Sequence, residues 1–388
     1  RVVREDPNRK GLLFAGTERG LYISFDAGQQ WSQFKLNFPM TPVTDLKIHH
    51  NDLLAATSGR AFWILDDITA LQELTPQVTT TDAYLYKPRE VVKSGNAFDL
   101  PTVTVGKSAY KGALIRYHLK EMGEKDSTLL KLEIADAEGK VLRTFNSASK
   151  KKAEQLPKKA GMNVLKWDLR GENIETAEGV FVPSFGGGGM SSYMVGPGTY
   201  TITLTFGDKT MQQALNILPD PRDAATLAQH REKQQVLERI ALDIEDIYQS
   251  LKDLQQVRKQ LKAMDERLGD SDEYKSINDK SRAIIKKVGA TEEKLIQPKQ
   301  ETFQDVVNFR SMLDSQLYDL LQTIDGNSPP LTDGEKERYN DLKEIWNTRK
   351  TEIMQILNDD VPAYNKMLEE KGVPYMAPNN DNKEEKLG

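Results

Sequence analysis

The 388-residue chain contains no cysteine, only four histidines and few aromatic residues, 7% of the total. The lack of cysteine excludes disulfides and thiolate-bound metal ions, so packing alone must hold the core together. No stretch approaches the roughly 18 consecutive apolar residues that a membrane-spanning helix needs, so no transmembrane segment is predicted. A net charge of −5 gives no general attraction to nucleic acid, and no nucleic-acid partner is expected.

The scarcity of histidine also limits metal binding. His49 and His50 are adjacent, and neighbours on a strand point to opposite faces, so the pair is not expected to chelate one ion. His118 and His230 lie in different predicted domains. We therefore predict no metal ion and no cofactor. The chain begins at Arg1 without methionine or a signal-like segment, so we expect a processed N-terminus or a longer upstream part.

The first part of the chain has the pattern of short β-strands. Apolar and polar residues alternate in runs separated by Gly, Asn, Asp or Pro, which is typical of antiparallel structure. The runs are Gly11–Thr17, Gly20–Phe25, Val43–His50, Asp52–Ser58 and Ala61–Asp67. We predict a β domain over residues 1–75.

One octapeptide in this domain, Ser24–Trp31 (SFDAGQQW), fits the pattern S-x-D-x-G-x-x-W at every fixed position. This is the Asp-box pattern of sialidases and other β-propellers. Ser24 and Asp26 offer oxygens to turn amides, and Gly28 takes a backbone angle that side chains disfavour. Trp31 is expected to fold back and cover the turn. The octapeptide therefore predicts the end of a propeller, one or two blades, and no catalytic group.

The middle of the chain is predicted to be a second β domain. After a connector at residues 76–100, alternation resumes, and two of the later regions turn back at AEGK and FGDKT as hairpins. These regions are Ala113–Leu119, Leu129–Phe145, Asn163–Leu169 and Gly198–Leu218. About seven strands in so short a span indicate an immunoglobulin-like β-sandwich over residues 101–220. Its core is expected to include Trp167 and Tyr200.

The last part of the chain changes to a helical period. From Leu237 to Leu268 apolar residues recur at spacings of three and four, which predicts one long amphipathic helix. Further helices are expected at Asp272–Val288, Pro298–Ile324 and Thr332–Glu370. Thr332 would cap the last one, with Glu335 at its third helical position. Residues 221–376 would form an antiparallel bundle or a long helical hairpin, followed by a disordered tail at 377–388.

Two segments bear a weak likeness to anion-binding loops. Pro101–Ser108 (PTVTVGKS) approaches the phosphate-loop pattern, but proline replaces its first glycine and strands follow it, which favours a turn between strands. Phe185–Met190 (FGGGGM) offers backbone amides to an anion, yet without a following helix it is more typical of a flexible hairpin loop.

Three carboxylates suggest glycoside hydrolysis: Asp66, Asp67 and Asp168. That reaction needs two carboxyl groups facing one sugar. Nothing in the sequence brings Asp67 and Asp168 into one cleft, and hydrogen bonding to backbone amides at strand ends is the simpler role. No nucleophile elbow of the form G-x-S-x-G occurs, so no catalytic residue is predicted.

Several stretches together resemble one family, the bacterial sortilin-like BNR/Asp-box repeat propellers, large secreted proteins often labelled glycosyl hydrolases. The likeness to the propeller end is carried by EDPNRKGLLFAGTERGLYISFDAGQQW and PVTDLKIHHNDLLAATSGRAFWILDDITAL. The likeness to its FlgD-type immunoglobulin-like module is carried by YKPRE, AGMNVLKWDLRG, VGPGTYTITLTF and LPDPR. It continues into the helical end with QPKQETFQDVVNFRSMLDSQLYDLL and DDVPAYNKMLEEKGV. Ser58 stands where family members usually have histidine, so an activity that depends on that histidine is not expected.

The resemblance implies secretion to the periplasm or cell surface, with the remaining blades preceding Arg1. Three functions are open. The first is a non-catalytic binding or assembly protein whose helical part docks a protein, such as the upstream propeller or a cell-envelope complex. The second is an exo-acting, sialidase-like hydrolase whose carboxylates lie mostly upstream, and the third is a propeller that binds a peptide. The absence of a catalytic constellation favours the first.

Overall fold

The computed structural model describes residues 1–94, 106, 108–120, 128–181, 190–302 and 304–374. Within these residues strands occupy the first part of the chain and helices the last, so the protein is of mixed β and α structure. The chain divides into two compact units. Unit 1 is Arg1–Arg170 with Gly196–Asp223, and unit 2 is Gly171–Val195 with Ala224–Gly388.

Unit 1 begins with a four-stranded antiparallel meander. Its strands are β1 (Val2–Glu5), β2 (Leu13–Thr17), β3 (Gly20–Ser24) and β4 (Ser32–Gln33). They lie side by side in chain order, and Phe14 is directly opposite Ile23 on the buried face. Gly16 also faces inward, where a Cβ would lie 2.5 Å from the Val43 side chain, so the sheet leaves room for nothing larger there.

A three-stranded antiparallel sheet follows in the same unit. Its strands are β5 (Val43–His49), β6 (Asp52–Thr57) and β7 (Phe62–Leu65). Their order is again that of the chain, and the inward residues share one apolar core with the first meander. That core includes Leu12, Phe14, Val43, Leu46 and Leu53. The five runs predicted as strands in this region are confirmed.

The segment predicted as a connector contributes to the sheets that follow it. In chain order it is preceded by α1 (Thr69–Glu73) and contains α2 (Pro76–Thr80), β8 (Ala83–Leu85) and β9 (Val91–Lys93). Each of the two strands pairs with a later part of the chain. Strands of three residues are too short to produce a readable period, so their partners rather than their own pattern define them.

The middle of the chain builds two further sheets in unit 1. The remaining strands are β10 (Ala113–Leu119), β11 (Leu130–Ala135), β12 (Val141–Asn146), β13 (Gly161–Trp167), β14 (Gly198–Phe206) and β15 (Lys209–Pro219). One sheet has the order β13-β10-β8, and the other has the order β12-β11-β14-β15-β9, with β9 parallel to β15. Trp167 of the first sheet meets Tyr200 of the second with ring centroids 6.2 Å apart. Both rings are buried, as predicted.

Unit 2 is built on one long helix, α3 (Leu227–Leu268), of 42 residues. Thr226 and Gln229 form a capping box at its start, and Gly269, with a φ of +63°, ends it. The predicted apolar seam is buried along most of its length, and Val257 and Leu268 are partly buried. None of the helices in the described ranges is long and apolar enough to cross a bilayer.

The other helices agree with the predictions only in part. They are α4 (Lys275–Leu295), α5 (Asp305–Asn308), α6 (Leu313–Gly326), α7 (Asp333–Gln355) and α8 (Val361–Glu370). The prediction of one helix over Pro298–Ile324 is wrong, because the backbone is extended at Phe309 and at Met312, which separates the short α5 from α6. The expected helix over Thr332–Glu370 is present but contains a π-helical segment at Ile356–Asp360, next to Pro362.

Residues 171–195 belong to the helical unit although strands of unit 1 flank them on both sides. Ile174 and Tyr193 are buried in the helical core. The backbone N–H of Ser191 donates to the Tyr318 hydroxyl (3.2 Å). The sequence did not indicate this excursion, which interrupts the range predicted as one β domain.

Candidate protein-docking surface

Strand β7 lies at one edge of its sheet within the described residues, and its outer face is apolar. Phe62 is 83% exposed and Ile64 is 58% exposed, whereas the alternating Trp63 and Leu65 are only partly exposed. Contiguous apolar side chains on a surface mark places where another molecule removes them from water. We call Leu36, Phe62 and Ile64 the β7 surface.

The turn before β7 determines which side chains face outward. Thr57 Oγ1 donates to the carbonyl of Ala61 (2.6 Å) and accepts from the N–H of Arg60 (3.1 Å). Trp63 then turns inward, with its ring edge-on to Phe38 at 5.3 Å and its indole N–H donating to the carbonyl of Arg60 (2.9 Å). Because side chains alternate along a strand, an inward Trp63 leaves Phe62 outward.

An open apolar cleft of about 380 Å³, including the solvent at its mouth, lies against β7. The side chain of Leu36 lines it and is 64% exposed, which continues the apolar surface beyond the strand. The other lining residues include Leu21, Phe34, Phe38, Leu53 and Trp63. The cleft offers shape and apolar contact but few polar groups, which suits a protein side chain better than a sugar or a phosphate.

Two charged residues flank β7, each three positions from Trp63. Arg60 is exposed and Asp66 is half-buried, and neither side chain makes an ion pair or a hydrogen bond with another part of the described chain. Burial raises the pKa of Asp66 above its ordinary value, and the negative charge of Asp52 adds to the rise. The end of β7 therefore carries a carboxylate for which a further cation would be favourable.

The other carboxylates near β7 have structural partners. Asp67 Oδ2 accepts from Arg116 Nη1, and its Oδ1 accepts from the Thr69 hydroxyl at 2.6 Å. Asp52 Oδ1 accepts from Arg89 Nη1 at 2.6 Å. These contacts tie the end of the second meander to β10 and to the segment after β8. They use the acceptor oxygens that a catalytic carboxylate would keep free.

The third carboxylate considered for catalysis lies elsewhere. Asp168 follows β13, and its Oδ1 accepts from the backbone N–H of Arg170 at 3.2 Å. It is not among the charged groups that act on Asp66, which are Asp52, Arg89, Asp67 and Arg116. The structure thus brings Asp52, Asp66 and Asp67 together and places Asp168 apart from them. Its role at the strand end is the one predicted.

The S-x-D-x-G-x-x-W turn joins β3 to β4 and is closed by its own side chains. Ser24 Oγ donates to Asp26 Oδ1 (2.7 Å) and accepts from the N–H of Gly28 (2.9 Å). The N–H of Gln30 donates to Asp26 (2.9 Å), which holds the pKa of that carboxyl below its ordinary value. The indole N–H of Trp31 donates to the carbonyl of Gly28 (3.0 Å), while its side chain stays 38% exposed. The ring therefore covers one side of the turn only.

The histidines are placed differently from the prediction. His49 ends β5, but His50 has a φ of +49°, and the two ring centroids lie 4.1 Å apart. The expectation of opposite faces is wrong, because the chain turns at His50 instead of continuing as a strand. His118 is buried on β10, and this burial lowers its pKa. Across the ranges that the structure describes, no group of three or more His, Asp or Glu is placed to hold a metal ion.

The two weak anion-loop candidates lie mostly outside the described residues. Of Pro101–Ser108 only Gly106 and Ser108 are described, and of Phe185–Met190 only Met190. The tail at 377–388 also lies outside them. These interpretations remain predictions.

The β7 surface was missed in the sequence, although a signal for it is present. In FWIL all four residues are apolar, so both faces of β7 carry large side chains. A strand of an antiparallel sheet with one face in water normally alternates apolar and polar residues. A continuous apolar run in such a region therefore indicates contact on both faces.

No family model and no curated protein matches the chain. Among solved structures, pT26-6p is 7% identical to it, with a TM-score of 0.12, over a match that covers 84% of this chain. The chain spans 63% of the length of that structure. A TM-score this low means that the two folds do not correspond, so the comparison carries no argument about function.

Proposed function

We propose that this chain is a non-catalytic binding or assembly protein that acts outside the cytoplasm and docks another protein through the β7 surface. The observation that carries the proposal is the pair of exposed apolar side chains on β7, Phe62 and Ile64. A partner that covers them removes about 25 cal/mol of unfavourable free energy for each Å² of apolar surface. The β7 surface takes the docking role that the sequence suggested for the helices, because exposed apolar side chains and an apolar cleft occur together there.

The N-terminal part of unit 1 is proposed to be the end of an Asp-box propeller. Two successive antiparallel meanders share one core, and the S-x-D-x-G-x-x-W turn joins two strands of the first, which supports this assignment. The resemblance to sortilin-like propeller proteins supports it as well, together with a location in the periplasm or at the cell surface.

The middle sheets are proposed to form an immunoglobulin-like sandwich. The Tyr200 hydroxyl donates to the carbonyl of Gly196, four residues upstream, at 2.7 Å. A tyrosine that bonds back to the preceding turn is characteristic of such sandwiches. Trp167 packed against Tyr200 between the two sheets is further support.

A photo-cross-linker tests the docking role directly. Phe62 is replaced by benzoylphenylalanine in the full chain, expressed in the cells that naturally make it, and cross-linked proteins are identified by mass spectrometry. A matched control carries the same residue in place of Val307, which is 84% exposed in unit 2. We expect position 62 to yield a protein adduct that position 307 does not, and Ile64→Lys to remove it. Identical products at both positions would refute the docking role.

A second function, glycoside hydrolysis, is favoured by one observation: the raised pKa of the half-buried Asp66, beside Asp52 and Asp67. A carboxyl with a raised pKa keeps its proton to a higher pH than an ordinary one, which suits a general acid. Full-length protein assayed on aryl glycosides and sialosides would decide the matter. Turnover lost in Asp66→Asn but kept in Asp45→Asn, a change at an exposed carboxylate on β5, would establish the hydrolase.

A further inference from the structure

We infer that the partner at the β7 surface is a second copy of this chain, whose own β7 pairs antiparallel with the first around a two-fold axis at Trp63. The inference rests on the proposed docking function and names its partner. It follows from three properties of β7: an open edge, a self-complementary apolar face and opposite charges at its two ends.

The edge is open because β7 pairs on one side only. Ala55 is opposite Trp63 in the register with β6, and no described strand pairs with the other side. Such an edge presents free N–H and C=O groups to any extended chain. Proteins that stay monomeric usually protect such edges with lysine, proline or a bulge, but the FWIL strand contains none of these.

The apolar face is complementary to itself. When Trp63 lies opposite Trp63 of the partner copy, Phe62 of each copy lies opposite Ile64 of the other. Directly opposed residues in an antiparallel pair point to the same face, about 4.5–5.5 Å apart at Cβ. Each exposed side chain therefore gains an apolar neighbour across the new strand pair. If the pairing of the two strands shifted by one residue, the outward Phe62 would lie opposite Trp63 of the other copy, whose side chain points inward. The contact between Phe62 and Ile64 would then be lost.

The charged residues at the two ends of β7 favour the same antiparallel pairing. Arg60 and Asp66 lie just beyond the two ends of β7, Arg60 in the turn before it, where Ala61 has a φ of +59°. The same pairing therefore brings the end of one copy that carries Arg60 near the end of the other copy that carries Asp66, at both ends of the paired strands. The half-buried Asp66 carboxylate, on which the charges of Arg89 and Arg116 already act, then gains a further cation. A parallel arrangement would instead set Arg60 beside Arg60 and Asp66 beside Asp66. Charge complementarity therefore selects the antiparallel dimer.

Charge exchange tests this register in the full chain by sedimentation velocity. We expect the wild type to sediment at twice the mass of one chain at micromolar concentration. Arg60→Asp and Asp66→Arg should each be monomeric, because each sets like charges together. An equimolar mixture of the two should form a heterodimer, and the double variant should form a homodimer, because both arrangements restore opposite charges at both ends. A monomeric wild type, or a mixture that stays monomeric when both variants are folded, overturns the inference.

A second measurement does not depend on tolerance of arginine at position 66, where Arg89 and Arg116 are near. Because the chain has no cysteine, Phe62→Cys and Ile64→Cys introduce single thiols. A mixture of the two should form an interchain disulfide at least about tenfold faster than either alone, since opposed Cβ atoms are close and diagonal ones are about 7–8 Å apart. Equal rates in all three samples would overturn the register.

The two proposals fail in different ways. If the wild type sediments as a monomer while the cross-linker at position 62 captures a different protein, self-pairing is wrong and the docking function stands. If neither position 62 nor position 307 gives a distinct adduct and the chain is monomeric, both are wrong.

Discussion

Asp314 is a buried carboxylate at the start of α6 whose charge the surrounding protein disfavours. It is 3% exposed. Its Oδ2 accepts from the Tyr248 hydroxyl (3.0 Å), and its Oδ1 accepts from the N–H (2.6 Å) and the hydroxyl (3.1 Å) of Ser315. Burial raises the pKa of Asp314 to about 6 despite these hydrogen bonds, which act in the opposite direction. Removal from water thus outweighs three donors at this position.

Asp314 makes folding stability depend on pH. Its pKa is about 6 in the folded chain against an ordinary 3.8, so the folded state binds more protons between these values and stability falls as pH rises through this range. Asp314→Asn removes this dependence. Urea unfolding at pH 4 and pH 8 should show the variant gaining roughly 2–3 kcal/mol relative to wild type at the higher pH, at 1.36 kcal/mol per unit of pKa.

Asp270→Asn is the matched control, because that side chain is 91% exposed. Its difference from wild type should be the same at both pH values. If the difference in unfolding free energy between Asp314→Asn and wild type were also the same at both pH values, the buried carboxyl would not titrate between pH 4 and pH 8.

At the scale of single elements, the start of α7 has the local capping pattern that the sequence predicted. The predicted capping box is present: Thr332 Oγ1 accepts from the N–H of Glu335 (3.2 Å), and Glu335 Oε2 accepts from the N–H of Thr332 (2.8 Å). Such a box uses only residues within one turn. The four-residue pattern therefore sufficed to predict it.

Thr332→Ala should destabilise unit 2 by about 1 kcal/mol, because the N–H of Glu335 loses its capping partner and Glu335 Oε2 loses the Thr332 hydroxyl. The urea midpoint of the full chain, followed by helical circular dichroism, measures this change. Thr332→Ser keeps the hydroxyl and should stay near wild type. Thr348→Ala, on the exposed middle of the same helix, should be neutral or slightly stabilising, and an equal loss there would exclude capping as the cause.

The elements that could be predicted are those whose pattern is long enough to be seen. The strands β2, β3, β5, β6 and β7 lie in runs bounded by turn residues, and the seam of α3 recurs over many residues, and all were predicted. β8 and β9 have three residues each and exist through their partners. The outward face of β7 was missed because one residue of offset decides which side chains face the core, and the position of Trp63 settles that offset only in the folded chain.

At the scale of the whole molecule, residues 171–195 leave the strands of unit 1 to pack in the helical unit and then return. Their anchors include Met190, 2% exposed, and Tyr193, 7% exposed. The N–H of Met194 also donates to Asp325 Oδ1 at 3.1 Å. The helical unit therefore buries a segment that lies, in sequence, between two strands of the β unit.

A chain truncated after Asp223 should keep its β unit folded but lose protection at this segment. We expect chymotrypsin to cut at Tyr193 at least about tenfold faster in the truncated chain than in the full chain, because the local structure that shields it is absent. Tyr200 serves as an internal control, since its ring is buried against Trp167 in unit 1. Equal cutting at Tyr193 in both chains would mean that the helices do not protect it.

The sequence by itself determined the mixed β and α composition, the strands with a clear period, the long helix and the caps, because these depend on neighbours along the chain. It also determined the lack of disulfides. Only the tertiary structure decided the packing of residues 171–195, the pairing of Arg116 with Asp67 and the exposure of Phe62 and Ile64. Each of these depends on contacts between residues distant in sequence, and no local pattern encodes which distant groups will meet.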